Sequence, residues 1–328
     1  MTDASPMLDA GGFSRLLVVC DGEDADADRA ALQRALEIAA RDGAALHLLS
    51  VVEPPSEIER IAQAVGLSAP AAVERLVDER RAELKALADA VGGGPDLAPD
   101  VRVGKPFLEI IRAAIAMQAD LVVKAPVMVS GLFASTDQHL LRKCPCPVWL
   151  YRPETTRPLG AVVASVDVDP GAAEGETGDG LNRRILETAA AIARIDGAAL
   201  HLVHAWEAPA EGLVRRWAGD EKEVIDYVAG VEADHRRVLR RLRDALAAAL
   251  PAAARDRLFI HVLRGPPREV IPAQAADLAA DLLVMGTIAR TGVPGFIIGN
   301  TAEDILNAVT CSVVTVKPPG YVSPVASA

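Results

Sequence analysis

At 328 residues the chain is too long for one ordinary core, and two domains of about 150 residues each are the natural division. A formal net charge of -11 argues against a general binder of nucleic acid or of anionic membrane, both of which need a positive field. No apolar run nears the ~20 residues of a membrane span, and MTDASPMLDAGG lacks the basic-then-apolar order of an export signal. With only four cysteines, Cys20, Cys144, Cys146 and Cys311, a disulfide framework is not expected and a reducing cytoplasm is.

In chain order, short apolar runs alternate with amphipathic helical patterns. Strands are expected near 15–20, 45–51, 99–103, 120–124 and 147–151, with helices near 28–42, 69–91, 106–118 and 136–143. The same order returns as strands near 161–166, 199–205, 259–263, 281–285 and 312–316, with helices near 181–196, 219–249, 267–279 and 301–308. The strands are continuous apolar runs rather than alternating ones, the pattern of strands buried on both faces. The expected class is therefore α/β, with two tandem domains, each a doubly wound five-stranded parallel sheet carrying helices on both faces, Rossmann-like. Residues 1–13, the acidic segment 170–180 and the tail from Gly320 are expected to be mobile.

The chain is a tandem duplication. DGAALHL occurs at 42–48 and again at 196–202, a separation of 154 residues. Downstream, VRVGKPFLEIIRAAIAMQADLVVKAP answers to HVLRGPPREVIPAQAADLAADLLVMGT, and KCPCPVWLYRP to VTCSVVTVKPP. The join falls near Pro153–Pro158, giving domains at 14–153 and 159–319.

In such a sheet, ligands lie beyond the carboxyl ends of the strands, where strand order switches. Asp21 and Asp167 follow the first strand of each half; KAPVMV and GTIARTG follow the fourth. The second of these opens GTIARTGVPGFIIGNTAEDIL, in which Gly286, Gly292, Gly295 and Gly299 precede a helix. Ser135 pairs with Asn300 and Gln138 with Glu303, so both halves carry a small polar residue followed three positions later by Gln or Glu, a capping-box pattern. The glycines differ. Ala134 stands for Gly299, Lys124-Ala125-Pro126 for Met285-Gly286-Thr287, and the first-half loop is four residues shorter. Successive amides leading into a helix make an anion cradle, which Pro126 and the deletion deny to the first half. A phosphate cradle and a bare turn both remain readings of the second-half loop.

Two halves, each with a strand ending in Asp, a DGAALHL-like second strand, a late loop and a CPCPV-like last strand, resemble the universal stress protein family, in its tandem E-type form. The resemblance implies a stress-response factor that senses or protects rather than catalyses, and no enzyme. Nucleotide-binding members carry G-x2-G-x9-G-[ST] after the fourth strand; here that frame falls on Gly286, Ala289, Gly299 and Asn300, so two of four positions depart. It implies an ATP site formed by Asp167, Gly286, Thr287, Gly299, Asn300 and Thr301, with Asp21 as the first-half counterpart of Asp167. It also implies an intramolecular pseudo-dimer, with a further homodimer left open. A carrier of an apolar ligand, or a scaffold, and a slow ATP hydrolase are the alternatives.

Other motifs have plain structural explanations. Cys144-x-Cys146 lacks further ligands at zinc spacing and is expected to be buried at the entry to the last strand. His201 and His204 lie three apart on a strand, facing opposite ways, and His47 repeats His201. His139, opposite Asp304, is expected at the surface. The basic run HRRVLRRLR suits a helix C-terminal half better than an anion patch. No catalytic or metal-ligating set is expected.

Overall fold

The computed structural model describes residues 11–94, 97–153, 158–171, 179–287 and 299–327. The chain divides into two compact units. One takes in Gly12–Glu154 together with Tyr321–Ala328, and the other is built on Thr155–Gly320.

In the first unit the elements run β1 Arg15–Val19, α1 Ala25–Asp42, β2 Ala45–Val52, α2 Ile58–Ala64, α3 Ala69–Ala90, β3 Pro99–Val103, α4 Pro106–Ala116 and β4 Leu121–Lys124. They continue as β5 Met128–Val129, β6 Leu132–Phe133, α5 Ser135–Lys143 and β7 Val148–Leu150. The sheet order is β3-β2-β1-β4-β7, every pair parallel. The second unit repeats this with β8 Ala161–Ser165, α6 Asp179–Asp196, β9 Ala199–Trp206, α7 Glu211–Trp217, α8 Glu221–Ala249, α9 Ala252–Arg255 and β10 Leu258–Arg264. It ends with α10 Pro267–Asp277, β11 Leu282–Gly286, α11 Asn300–Ala308 and β12 Ser312–Val316. Its order is β10-β9-β8-β11-β12, again all parallel.

Each unit thus steps outward from its first strand, then returns to the other side of it. With right-handed crossovers, the outward and returning helices fall on opposite faces of the sheet. Both faces of the inner strands are then covered, as the apolar runs require. Leu16, Leu17 and Val18 in β1, Val122 and Val123 in β4, and Leu283 and Val284 in β11 are all fully buried. Each such side chain contributes roughly 1.5–3 kcal/mol of transfer free energy. Capping fixes the helix starts locally. Asp24 accepts from the Asp26 and Ala27 amides ahead of α1, and Asp220 from the Glu223 amide ahead of α8.

Three features depart from the sequence expectation. Short helices α2 and α7 fill the passage after the second strand of each unit, where no helix is expected. A two-stranded antiparallel hairpin, β5–β6, stands in the first-half loop, turning through Ser130 and Gly131 at positive φ. The tail from Gly320, expected to be mobile, instead forms a 3-10 helix at Pro324–Ser327 that belongs to the first unit. Ser323 and Val325 are buried there, and the Tyr321 hydroxyl donates to the Arg142 carbonyl at 3.1 Å. Of the expected mobile N-terminus, 1–10 lies outside the described residues, while Phe13 is buried with its amide donating to Asp42. Residues 172–178 of the acidic segment also lie outside them.

Candidate ligand site in the second half

Strand order switches between β1 and β4 in the first unit and between β8 and β11 in the second, and the loops leaving those strands are where a ligand would meet backbone. Register aligns the halves: Val19 lies beside Lys124 as Ser165 lies beside Met285. Asp21 therefore answers to Asp167, and Lys124 to Met285.

In the first half this place is filled by the chain's own charges. Lys124 is 1% exposed, and its Nζ sits 2.7 Å from Asp21 Oδ2 and 2.9 Å from Asp137 Oδ1. It also donates to the Ala125 carbonyl. Burial alone would lower the Lys124 pKa, but the carboxylates of Asp137 and Asp21 outweigh it and hold the ammonium protonated. Asp137, fully buried in the first turn of α5, accepts the Val127 amide at 2.7 Å. Burial pushes its carboxyl up, against the pull of Lys124 and that amide. A loop amide ahead of a helix N-terminus thus already holds an anion, supplied by the helix itself. Beside it, Asp28 accepts the Gly22 amide at 2.8 Å, and Arg80 from α3 donates to Ser50 Oγ and the Cys20 carbonyl. The Arg80 guanidinium lies so close over Gly22, at φ +85°, that a Cβ there would overlap it.

Apart from Asp167, the matching positions of the second half carry no permanent charge. Asn182 takes the place of Asp28, its Oδ1 accepting the Asp167 amide at 3.0 Å and its Nδ2 donating to the Asp167 carbonyl at 2.7 Å. His204 stands for Ser50, and His235 on α8 for Arg80; their Nε2 and Nδ1 are 2.9 Å apart. Met285 replaces Lys124, and Ala302 replaces Asp137. A buried cation stands just beyond β12. Lys317 is 1% exposed, and its ammonium donates to the Thr287 hydroxyl.

The expected site residues divide accordingly. Gly299 and Thr287 meet, the Gly299 amide donating to the Thr287 carbonyl at 3.2 Å, which ties the two ends of the glycine segment together. Thr287 is buried and its hydroxyl turns to Lys317, so it braces the site rather than offering a free side chain. Asn300 and Thr301 are exposed in the first turn of α11, and Asp167 is exposed at the end of β8. Gly286 has a packing reason to be glycine, since a Cβ would come 2.8 Å from Leu181 Cδ2. Gly299 has none of that kind: its φ is -62°, and no described atom lies within 4 Å of the place of a Cβ. Gly292, Gly295 and Ala289 lie outside the described residues.

The capping-box expectation is corrected. The N-caps are Ala134 and Gly299, one residue earlier than the pattern requires, and neither makes a side-chain cap hydrogen bond. Ser135 and Asn300 are the first helical residues, while Gln138 reaches back to the Phe133 carbonyl. The small polar residue repeated in both halves therefore has no capping role.

A family model described as the Universal stress protein family matches residues 12–152 and 178–317. The chain belongs to the universal stress protein family. Universal stress protein E from Salmonella typhi is 30% identical over 226 residues, 67% of this chain and 68% of that one, and the protein of that name from Escherichia coli K12 matches equally. Among solved structures, a functionally unknown protein from Pseudomonas aeruginosa PAO1 is 26% identical, covers 93% of each chain and superposes with a TM-score of 0.63. A universal stress protein from Archaeoglobus fulgidus, 17% identical, covers 92% of this chain and 98% of its own with a TM-score of 0.59, a likeness of fold alone. Membership of the family supports a role in the response to stress. No helix among the described residues is long and apolar enough to cross a membrane.

The remaining motifs of this universal stress protein resolve as packing. Cys144 and Cys146 are buried, unbridged, and 3.5 Å apart at Sγ; the hydrogen bond they share, with burial, pushes the Cys146 thiol well up. His201 and His204 go to different partners, His201 to His261 on the neighbouring strand at 3.0 Å. His47 makes the equivalent cross-strand contact to Asp100 at 3.2 Å, a repeated packing role. His139 is half-buried against Phe107, centroids 4.2 Å apart, and not at the surface; burial lowers its pKa, with Lys143 and Arg142 adding to it. Lys317 is the residue that sequence reading missed. It follows directly on the apolar strand β12, at the register position that Arg152 holds in the first half, and a basic residue repeated there was its available signal.

Proposed function

We propose that this universal stress protein binds an adenine nucleotide, ATP, in its second half and acts in the stress response as a ligand-sensing or protective factor rather than as an enzyme. One observation carries the reading. The first half fills the anion position with its own Asp137 and balances it with buried Lys124, whereas the second half has Ala302 and Met285 there and keeps a buried cation, Lys317, beside the loop. A phosphate takes the part of the Asp137 carboxylate. The first amides of α11, which a helix leaves without intrahelical partners, face it, and Lys317 supplies the charge. The bare Cα of Gly299 allows close approach. Asp167 accepts from the hydroxyl-bearing end of the ligand. Asn182 fixes the backbone that presents it.

The test is calorimetry of the full chain with ATP, paired with mass spectrometry of small molecules that co-purify with it. One ATP per chain, lost in Lys317→Met, is the expected result. No heat at millimolar ATP, or two sites per chain, overturns the reading.

A further inference from the structure

The second half keeps one titratable pair at the place where the first half has a fixed charge. His204 on β9 and His235 on α8 stack at 4.9 Å between ring centroids, and Trp206 lies 5.7 Å from the His235 ring. His204 Nε2 and His235 Nδ1 are 2.9 Å apart, so one proton lies between them. At its other nitrogen, His204 Nδ1 is 3.2 Å from the Val166 carbonyl and 3.4 Å from the Val168 amide. These two groups flank Asp167.

The contacts at Nδ1 are mutually exclusive. A protonated Nδ1 donates to the Val166 carbonyl; a bare one accepts from the Val168 amide. The tautomer of the pair decides between them. When His204 carries its proton on Nε2 and donates to His235, Nδ1 is bare and holds Val168. When His235 takes a second proton, its Nδ1–H must donate to His204 Nε2. The His204 proton then sits on Nδ1, the Val166 carbonyl gains a donor, and the Val168 amide is released.

We infer that the His204–His235 pair positions the Asp167 loop and couples its geometry, and through it ligand affinity, to pH. This rests on the reading of the second half as a nucleotide site. The first half shows the contrast, since there Arg80 bonds Ser50 and the Cys20 carbonyl with a charge that does not titrate. The charged groups facing the pair are acidic: Asp167 and Asp169 from the loop after β8, and Asp234 beside His235 on α8. From β10 the neighbour of His204 is Val262, and α6 meets the loop through neutral Asn182. Burial lowers the His235 pKa, while Asp169, Asp167 and Asp234 pull it back up, so protonation falls below the ordinary imidazole range. A polyanionic ligand favours the protonated pair. Affinity for ATP therefore rises as pH falls, and binding takes up protons.

The test has two arms on the full chain. In the first, nuclear magnetic resonance follows the Val168 amide and both imidazoles between pH 7.5 and 5 without ligand. The amide is expected to titrate together with His235 and to become pH-independent in His235→Gln, which keeps a hydrogen-bonding side chain without a titrating ring. In the second arm, calorimetry with ATP in buffers of different ionisation enthalpy is expected to show proton uptake and about three- to tenfold tighter binding at pH 5.5 than at 7.5, abolished in His235→Gln. A Val168 amide that ignores pH, or a wild-type profile kept in His235→Gln, overturns the inference. No ATP heat at any pH, with the amide titrating as expected, sinks the nucleotide reading and leaves the loop switch standing.

Discussion

The Lys124–Asp137 pair allows a double-mutant cycle whose end state the molecule already contains. Both side chains are buried, at 1% and 0% exposure, and their charged atoms are 2.9 Å apart. Asp137→Ala leaves Lys124 with Asp21, which is 25% exposed, and leaves the Val127 amide without its acceptor. A broken buried pair costs about 3–5 kcal/mol; since Asp21 stays, the lower end applies, with the amide included. Lys124→Met leaves two carboxylates, Asp137 fully buried and Asp21 beside it, and costs a similar amount. The double variant installs the combination found at Met285 and Ala302, with no fully buried charge left and only the partly exposed Asp21 without its partner. It should lose less than about 1.5 kcal/mol, because replacing a buried pair by apolar residues is often close to neutral. The coupling is then about 4.5 kcal/mol or more. Urea unfolding would be followed by Trp149, which is fully buried in the first unit, in a background with Trp206 and Trp217 changed to Phe. A coupling below about 0.5 kcal/mol, or a double variant as unstable as the sum of the singles, refutes the view that Asp137 acts as an internal anion matched to Lys124.

Three further outcomes follow from the same contacts. Gly299→Ala should leave the urea midpoint unchanged and weaken ATP binding, whereas Gly286→Ala should destabilise the chain by about 1–3 kcal/mol through Leu181, as overpacking does; calorimetry and unfolding on both variants separate ligand space from packing. Lys317→Met should weaken ATP binding at least tenfold, about 1.4 kcal/mol, and flatten its salt dependence, while a variant that binds as the wild type does removes Lys317 from the site. Burial, with Asp21, raises the Asp28 carboxyl to about 6, above its unfolded value, so its stabilising contribution is present at low pH and is lost as pH rises through about 6. Asp28→Asn should therefore gain on the wild type between pH 4.5 and 7.5, by at most roughly 3 kcal/mol, and urea midpoints in which the two fall in parallel would contradict this.

The sheet was readable because its strands are continuous apolar runs and because the chain repeats itself. Val122-Val123 and Leu283-Val284 sit in the same pattern in both halves, and one half checks the other. Helices α2 and α7 were not readable, since each has only seven residues and presents exposed apolar side chains such as Ile61 and Trp217 instead of a clean stripe. The capping pattern misled for a local reason. The backbone enters α5 and α11 in extended conformation at Ala134 and Gly299, so the polar residue arrives one position late. At the site, Asp167 and the glycines could be placed by following the strands, but the pairings could not. Lys124 with Asp137, Arg80 with Cys20 and His204 with His235 join residues 13 to 60 positions apart, and periodicity carries no information about them.

The two halves began from one sequence and now answer the same electrostatic demand in different ways. A helix N-terminus facing a loop of amides favours a negative charge. In the first half Asp137 meets that demand from within the chain, so that position needs no ligand. On the proposed reading a ligand brings that charge to the second half, whose stability should then rise with ligand as RT ln(1 + [L]/Kd), about 2.7 kcal/mol at a hundredfold excess over Kd. Ligand should therefore raise the second unfolding transition and leave the one reported by Trp149 in place. On that reading one half fills its site from within, while the other would take its charge from the nucleotide. Equal upward shifts of both transitions with ATP would contradict that division.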